Sequence, residues 1–255
     1  SLLPLLNGIF SFAIFDTKSQ ELFVVRDAFG VKPLYICNHP LGIYFASELK
    51  ALKHFGGELS PKAISGYLTY LWSPYSSTPF DNIYKLPPGY FLTVKHGNVV
   101  SSTCWYSLPV HDHSLNIPSN LSLPELVFSV DKLLRNSVHA QLTSDVPVGS
   151  FLSGGLDSSA IVSYAREVIP DIPCFTINCH SSTMDGFADD LPYAKKVAKH
   201  LSVPLHIIDV SSSDLISGIE NMIYHLDEPV ADPAPLNAFL ICQLARKNGI
   251  KVLLS

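Results

Sequence analysis

Val148-Gly149-Ser150-Phe151-Leu152-Ser153-Gly154-Gly155-Leu156-Asp157-Ser158-Ser159 reads as a hydrophobic strand that runs into a Ser/Gly-rich turn and opens directly onto a helix. A turn of that kind holds phosphate. Gly154 and Gly155 let the backbone approach an anion with no Cβ in the way, and the first amides of the following helix point outward without intrahelical partners. Ser153, Ser158 and Ser159 offer hydroxyls. A single charge-to-dipole contact at an exposed helix end contributes only about 0.3–1 kcal/mol, so a polyphosphate needs several convergent donors. No Gly-Lys-Ser/Thr follows the turn, which excludes a Walker A loop. Asp157 stands in that region instead, and a carboxylate beside a polyphosphate implies Mg²⁺ bridging the two. The plainer alternative is a capped helix in which Asp157 only complements the N-terminus.

Outward from this loop, the second half of the chain alternates helix and strand. Leu126, Val127, Val130, Leu133, Leu134 and Val138 recur at helical spacing before the loop strand, and a helix over 158–168 follows it. A strand over 174–177, a helix over 189–201 and a strand over 204–210 come next. Helices over 215–225 and 235–248 lead to a last strand beginning near Gly249. Short apolar strands joined by crossover helices predict a parallel, doubly wound sheet whose ligands sit beyond the carboxyl ends of its strands. The first half differs. Strands around Ile9–Phe15, Leu22–Val25, Leu34–Ile36 and Ile43–Ala46 lie close together with turn residues between them, which predicts antiparallel pairing. A short helix is expected near Ser47 and another over 61–71, with strands again between Tyr84 and Tyr106. The polar, proline-punctuated stretch 108–124 is the linker. The expectation is therefore α+β followed by α/β: a domain over 1–107, the linker over 108–124, and a parallel-sheet domain over 125–255.

With 255 residues and 47% hydrophobic content, the chain can bury two cores. Its net charge of −5 and scattered lysines give no electrostatic basis for a nucleic-acid groove. Cys37, Cys104, Cys174, Cys179 and Cys242 show no metal-ligand spacing and read as buried thiols of a cytoplasmic protein. No apolar run reaches the length of a membrane span, and the opening residues are too short and uncharged for a signal peptide. The sequon at Asn120 stands without other signs of secretion. A first residue Ser1, and an end at Ser255 straight after an apolar strand pattern, predict a chain cut at both ends.

The run Ser153 to Ser159 resembles the pyrophosphate loop of the N-type ATP pyrophosphatases, which break ATP between the α and β phosphates. Further motifs agree in order: Leu6-Asn7-Gly8-Ile9-Phe10-Ser11-Phe12-Ala13, Arg26-Asp27-Ala28-Phe29-Gly30-Val31-Lys32-Pro33-Leu34-Tyr35, Phe45-Ala46-Ser47-Glu48-Leu49-Lys50-Ala51-Leu52, Leu86-Pro87-Pro88-Gly89, Trp105, Leu226-Asp227-Glu228-Pro229 and Asp232-Pro233-Ala234. Together they resemble a glutamine-hydrolysing asparagine synthetase along essentially the whole chain. The first part looks like the second half of that family's glutaminase domain, a sandwich of antiparallel sheets. The last part looks like its ATP pyrophosphatase domain. The resemblance implies ATP, Mg²⁺, glutamine and aspartate as ligands, an acyl-adenylate intermediate, and ammonia passed from glutamine. It also implies that Leu152 and Ile177 line the adenosine pocket, that Ser153, Gly154, Gly155, Leu156, Asp157, Ser158 and Ser159 cradle pyrophosphate, that Asp157 holds Mg²⁺, and that Ser255 opens a second nucleotide loop. The family's nucleophilic cysteine would precede Leu5, so none of the five cysteines inherits it, and this chain alone is expected to be inert in both half-reactions. No membrane partner is implied, and a homodimer stays open.

Other residues admit a structural and a functional reading. Arg26 and Asp27 at a strand end are expected to lock a turn rather than touch substrate. Glu48 reads as a carboxylate of an early helix turn, Asp189 and Asp190 as helix caps beside Asp185, His206 as a satisfied core or edge histidine, and His111 and His113 as solvated. Asp227, Glu228 and Asp232 fall between two helices on a Pro-stiffened loop, where a functional location and a structural one are equally supported. Departures from the commonest forms at Asp185–Asp190 and Asp232–Ala234 keep open an amidotransferase acting on a sugar carboxylate or β-lactam precursor, and a reading of another class is a non-catalytic remnant that binds nucleotide or a partner.

Overall fold

A computed structural model describes residues 2–108, 121–179, 190–232 and 234–255. Most of the expected linker, with His111 and His113, and the acidic positions Asp185 and Asp189 lie outside the described residues. The chain divides into two units, one of residues 1–114 with 223–232, the other of residues 115–222 with 233–255.

In the first unit, β1 (Ser11–Asp16), β2 (Glu21–Arg26), β6 (Tyr90–Lys95) and β7 (Asn98–Cys104) form an antiparallel sheet in the order β1-β2-β6-β7. A second antiparallel sheet orders β4 (Gly42–Ala46), β3 (Tyr35–His39) and β5 (Ile83–Lys85) as β4-β3-β5. Alternate residues of both sheets meet in one core of Val24, Leu92 and Val94 with Leu34, Ile36 and Leu86. The β1–β2 hairpin turns where Asp16 accepts the N–H of Lys18 at 2.8 Å, an Asx turn over the loop the sequence marks.

The expected helix near Ser47 is instead two 3₁₀ turns, Leu49–Ala51 and Lys53–Phe55. Residues three apart eclipse in that geometry, so Leu49 and Leu52 both point inward at 3% exposure, and Gly56-Gly57 stops further winding. Helix α1 (Pro61–Tyr70) starts with proline at its first turn and Ser60 accepting the N–H of Ala63.

The second unit carries a parallel sheet of β8 (Val148–Phe151), β9 (Cys174–Cys179), β10 (Leu205–Val210) and β11 (Val252–Leu254), ordered β10-β9-β8-β11. Helices α3 (Leu156–Ala165), α4 (Leu191–Leu201), α5 (Ser212–Leu226) and α6 (Ala234–Lys247) join the strands, and α2 (Leu123–Gln141) precedes them. One cluster packs Val162, Ala194 and Ala198 of α3 and α4, with Val138 of α2, against Val148, Cys174 and Leu254. Another packs Ile241 and Ala245 of α6 against Phe175, so both faces of the sheet are covered.

Two expectations about burial change. Along α2 only Val138 is buried, while Leu126, Val127, Val130, Leu133 and Leu134 stay 42–69% exposed. Helical periodicity marks a face able to pack, and here that face packs only at its C-terminal end. Cys37 and Cys174 are buried thiols, but Cys104 and Cys242 are exposed. Cys104 ends the edge strand β7, and Cys242 lies on the outer side of α6, positions that apolar neighbours in sequence do not reveal. No helix among the described residues is long and apolar enough to cross a membrane.

Candidate functional site

The phosphate-type loop leaves β8 at Phe151 and enters α3 at Leu156. Register places the other candidates at the same sheet edge: β8 pairs Phe151 with Phe175 of β9, so Ile177 lies two residues beyond that pair, and β11 pairs Leu254 with Ser150, so Ser255 follows directly. The carboxyl ends of β8, β9 and β11 thus carry Ser153, Ile177 and Ser255 along one edge, as a parallel sheet requires of a ligand site.

Within the loop, Gly154 has φ +83°, and a Cβ there would lie 2.4 Å from both the Ala194 amide nitrogen and the Tyr193 carbonyl carbon. The loop is pressed onto the first turn of α4, a neighbour the sequence did not disclose. Gly155 occupies the N-cap position of α3. Its N–H donates to Ser153 Oγ at 3.2 Å, and Ser153 Oγ sits 2.9 Å from Ser158 Oγ. Ser158 Oγ also receives the Ser153 N–H at 3.3 Å, while the Ser159 hydroxyl and N–H both donate to the Gly155 carbonyl, at 2.6 and 3.1 Å. The serines therefore brace the loop. What they leave for an anion is the first-turn N–H row of α3, at Leu156, Asp157 and Ser158.

Leu152 does not present its side chain. It is 1% exposed within the core of α3 and α4, and its N–H donates to the Phe175 carbonyl at 3.0 Å, so only its remaining backbone faces the loop. Ile177 is half-buried against the cluster of Phe175, Ile241 and Ala245. Asp157 stands exposed in the first turn of α3. Among the described residues no three His, Cys, Asp or Glu side chains gather as a metal centre. Asp157 is the carboxylate of this loop that could reach a Mg²⁺ ion held beside a phosphate.

Arg26 and Asp27 are consumed by backbone. Arg26 donates to the carbonyls of Lys32, Leu86 and Gly30 at 2.8, 2.5 and 2.7 Å, and burial lowers its pKa against the opposing charges of Asp27 and Glu228. Asp27 accepts the N–H groups of Phe29, Val31 and Lys32 at 2.9–3.1 Å. They lock the turn. Gly30 completes it at φ +66°, where a Cβ would come within 2.8 Å of Pro88. Asp190 sits at the N-cap of α4, but its carbonyl rather than its side chain receives the Tyr193 and Ala194 N–H groups. His206 stacks on Phe175 at 4.9 Å.

Beside Arg26 and Asp27, the first unit holds a cavity of about 530 Å³ lined by Ile9, Phe10, Ser11, Lys32, Pro33, Ser47 and Glu48. Glu48, expected in an early helix turn, stands at the N-cap of the Leu49–Ala51 turn. It pairs with Lys50 at 2.8 Å. None of the Ser153–Ser159 loop residues lines this cavity. Asp227 and Glu228, left open by sequence, belong to the first unit: Asp227 accepts the Leu49 and Lys50 N–H groups, and Glu228 takes Tyr35 and Lys85.

Residues 1–106 match the glutamine amidotransferase domain model, and residues 129–255 match the asparagine synthase model. The chain belongs to the glutamine-hydrolysing asparagine synthetase family. Among curated members, asparagine synthetase [glutamine-hydrolyzing] 1 of Bacillus subtilis is 31% identical over 245 residues, 95% of this chain and 37% of that protein. Amidase chry2 of Gibberella zeae is 26% identical over 98% of this chain and 38% of its own length. The chain thus spans little more than a third of the length of these relatives. An NH3-dependent NAD synthetase from Campylobacter jejuni covers 48% of this chain, and this chain 53% of it, at 15% identity and a TM-score of 0.34, a likeness too slight to carry a conclusion.

Proposed function

We propose that this chain is part of an ATP-dependent carbon–nitrogen ligase that converts aspartate to asparagine with ammonia drawn from glutamine. Residues 1–107 act as glutaminase-side scaffold and residues 125–255 as the ATP pyrophosphatase side, within a cytoplasmic enzyme. The observation that carries the reading is the braced loop at Ser153–Ser159, whose Gly154 has no room for a side chain and whose first-turn amides stay directed outward at the strand ends.

On this reading the aspartate β-carboxylate attacks the α-phosphorus of ATP, the bond to the bridging oxygen of the β-phosphate breaks, and pyrophosphate leaves. Ammonia then attacks the acyl carbon, loses a proton, and expels AMP. The N–H groups of Leu156, Asp157 and Ser158 hold the departing pyrophosphate, where negative charge grows. Ser153 orients the turn, and Ile177, Ser255 and the backbone of Leu152 border the nucleotide. Asp157 is the residue placed to hold Mg²⁺, whose charge would offset that of the phosphate oxygens. The test is aspartate-dependent ATP–pyrophosphate exchange in the full-length natural protein, with Gly154→Ala as the variant. Exchange in the wild type, falling at least 100-fold in Gly154→Ala, is expected. Absence of both exchange and Mg·ATP binding from the wild type would overturn the reading in favour of a remnant.

A second reading keeps this chemistry and changes the acid that receives nitrogen to a sugar carboxylate or β-lactam precursor. Similarity over 98% of this chain to a protein named an amidase rather than an asparagine synthetase favours it. Exchange driven by such an acid, and not by aspartate, would select it.

A further inference from the structure

Residues 223–232 belong to the first unit although the polypeptide enters them from the body of α5 and leaves them into α6. Their attachment is specific at three points. Asp227, with φ +63°, turns its carboxylate onto the start of the Leu49–Ala51 turn, accepting the Leu49 N–H at 2.8 Å and the Lys50 N–H at 3.2 Å. It serves as the N-cap that Glu48 does not supply, from 178 residues away along the chain. The Lys50 ammonium closes on the same carboxylate at 2.8 Å and lies 5.0 Å over the Tyr224 ring. Partial desolvation opposes the Lys50 charge, yet Asp227 and Glu48 outweigh it and raise its pKa.

Glu228 makes the second attachment. Tyr35 and Lys85 are direct cross-strand partners on β3 and β5, and their two heads form a fork. The Tyr35 hydroxyl donates to one oxygen of Glu228 at 2.7 Å and the Lys85 ammonium to the other at 3.0 Å. Third, Ala231 donates its N–H to the carbonyl of Leu71, the left-handed residue ending α1, at 2.8 Å. The side chains of Asp227 and Glu228 are 6% and 11% exposed, so both charges are desolvated and depend on these partners.

We propose that Asp227 and Glu228 are positioning residues, a two-pronged latch whose closure lets glutamine-derived ammonia serve the synthetase reaction. Two observations beyond burial carry this. The latch grips the Leu49–Ala51 turn next to Ser47 and Glu48, which line the cavity, and the latched segment runs straight into α6, whose residues pack on the strand that bears Ile177. Displacing the segment therefore disturbs the seating of both, without removing any group assigned to nucleotide. The inference rests on the function proposed above, because it needs an ammonia-consuming reaction to act on.

The experiment uses the full-length protein as wild type, Glu228→Lys, Lys85→Glu and the Glu228→Lys/Lys85→Glu exchange. Amide formation is driven in parallel by glutamine and by ammonium chloride, with pyrophosphate exchange and hydrogen exchange at Leu49, Lys50 and Ala231 followed alongside. Glu228→Lys is expected to lower glutamine-driven synthesis about tenfold relative to ammonium-driven synthesis, to leave pyrophosphate exchange within twofold, and to deprotect those three amides. The charge exchange restores the ratio. An unchanged ratio in Glu228→Lys with those amides deprotected overturns the coupling role, and unchanged protection overturns the latch itself. Should the wild type lack pyrophosphate exchange, the function proposed above fails on its own, and the amides still report on the latch.

Discussion

At the scale of single residues, a buried polar group depends on the protein partners that replace its water. The Asp27 side chain belongs to a residue 1% exposed and takes three backbone N–H groups. An unsatisfied buried polar group costs about 1–3 kcal/mol, so Asp27→Asn, which keeps one acceptor oxygen and adds donors facing donors, should lose about that much stability. Urea unfolding with an unchanged m-value is the check. Cys174 gives a pH-dependent counterpart. Burial pushes its thiol from the ordinary 9.0 up to about 12. The folded state thus holds the proton more tightly than the unfolded chain, so the contribution is complete below pH 9 and is lost as pH rises from about 9 to 12. Cys174→Ala should flatten this alkaline part of the stability profile, and an identical slope in wild type and variant would remove Cys174 as its source.

Among elements, β9 is the one on which the second unit depends. It lies between β8 and β10 and bears Phe175, fully buried against α6 on one face, while Cys174 packs with α3 and α4 on the other. Phe175→Ala should cost about 3–5 kcal/mol, measured by thermal or denaturant unfolding, since neighbours on both sides limit collapse of the cavity. By contrast α2 holds its C-terminal end by Arg135, which pairs with Glu167 and Asp131, and by the Tyr164 hydroxyl donating to Asp131 at 2.8 Å. These groups are exposed, so salt weakens them, and Leu126→Gln and Val130→Gln on the open face should leave stability unchanged within about 0.5 kcal/mol. Helical spacing made this helix legible in the sequence. Which of its faces is covered was not legible, because periodicity records the capacity to pack and not the presence of a neighbour.

For the whole molecule, ligand linkage is the informative test. Mg·ATP at 100 times its Kd should stabilise what it binds by about 2.7 kcal/mol. Hydrogen exchange should place that gain on the slowest amides of β8 and β9, with β2 and β6 of the first unit unaffected. Uniform protection in both units, or none, would contradict a nucleotide site at the strand ends of the second unit.

By itself the sequence determined the order of strands and helices, the antiparallel character of the first part, the parallel character of the second, and the strand–turn–helix at Ser153–Ser159. Each of these is written in neighbouring residues: strand alternation, helical spacing, and a contiguous strand–turn–helix whose donors come from its own backbone. Only tertiary structure decided that Leu152 turns its side chain into the core, that Gly154 is pressed on Tyr193 and Ala194, and that two 3₁₀ turns replace the helix expected near Ser47. Tertiary structure alone also gave Asp227 and Glu228 their partners, 178 and 193 residues away at Leu49 and Tyr35. A carboxylate's role is set by the donors that replace its water, and when those donors are supplied by a distant segment, no local pattern names them.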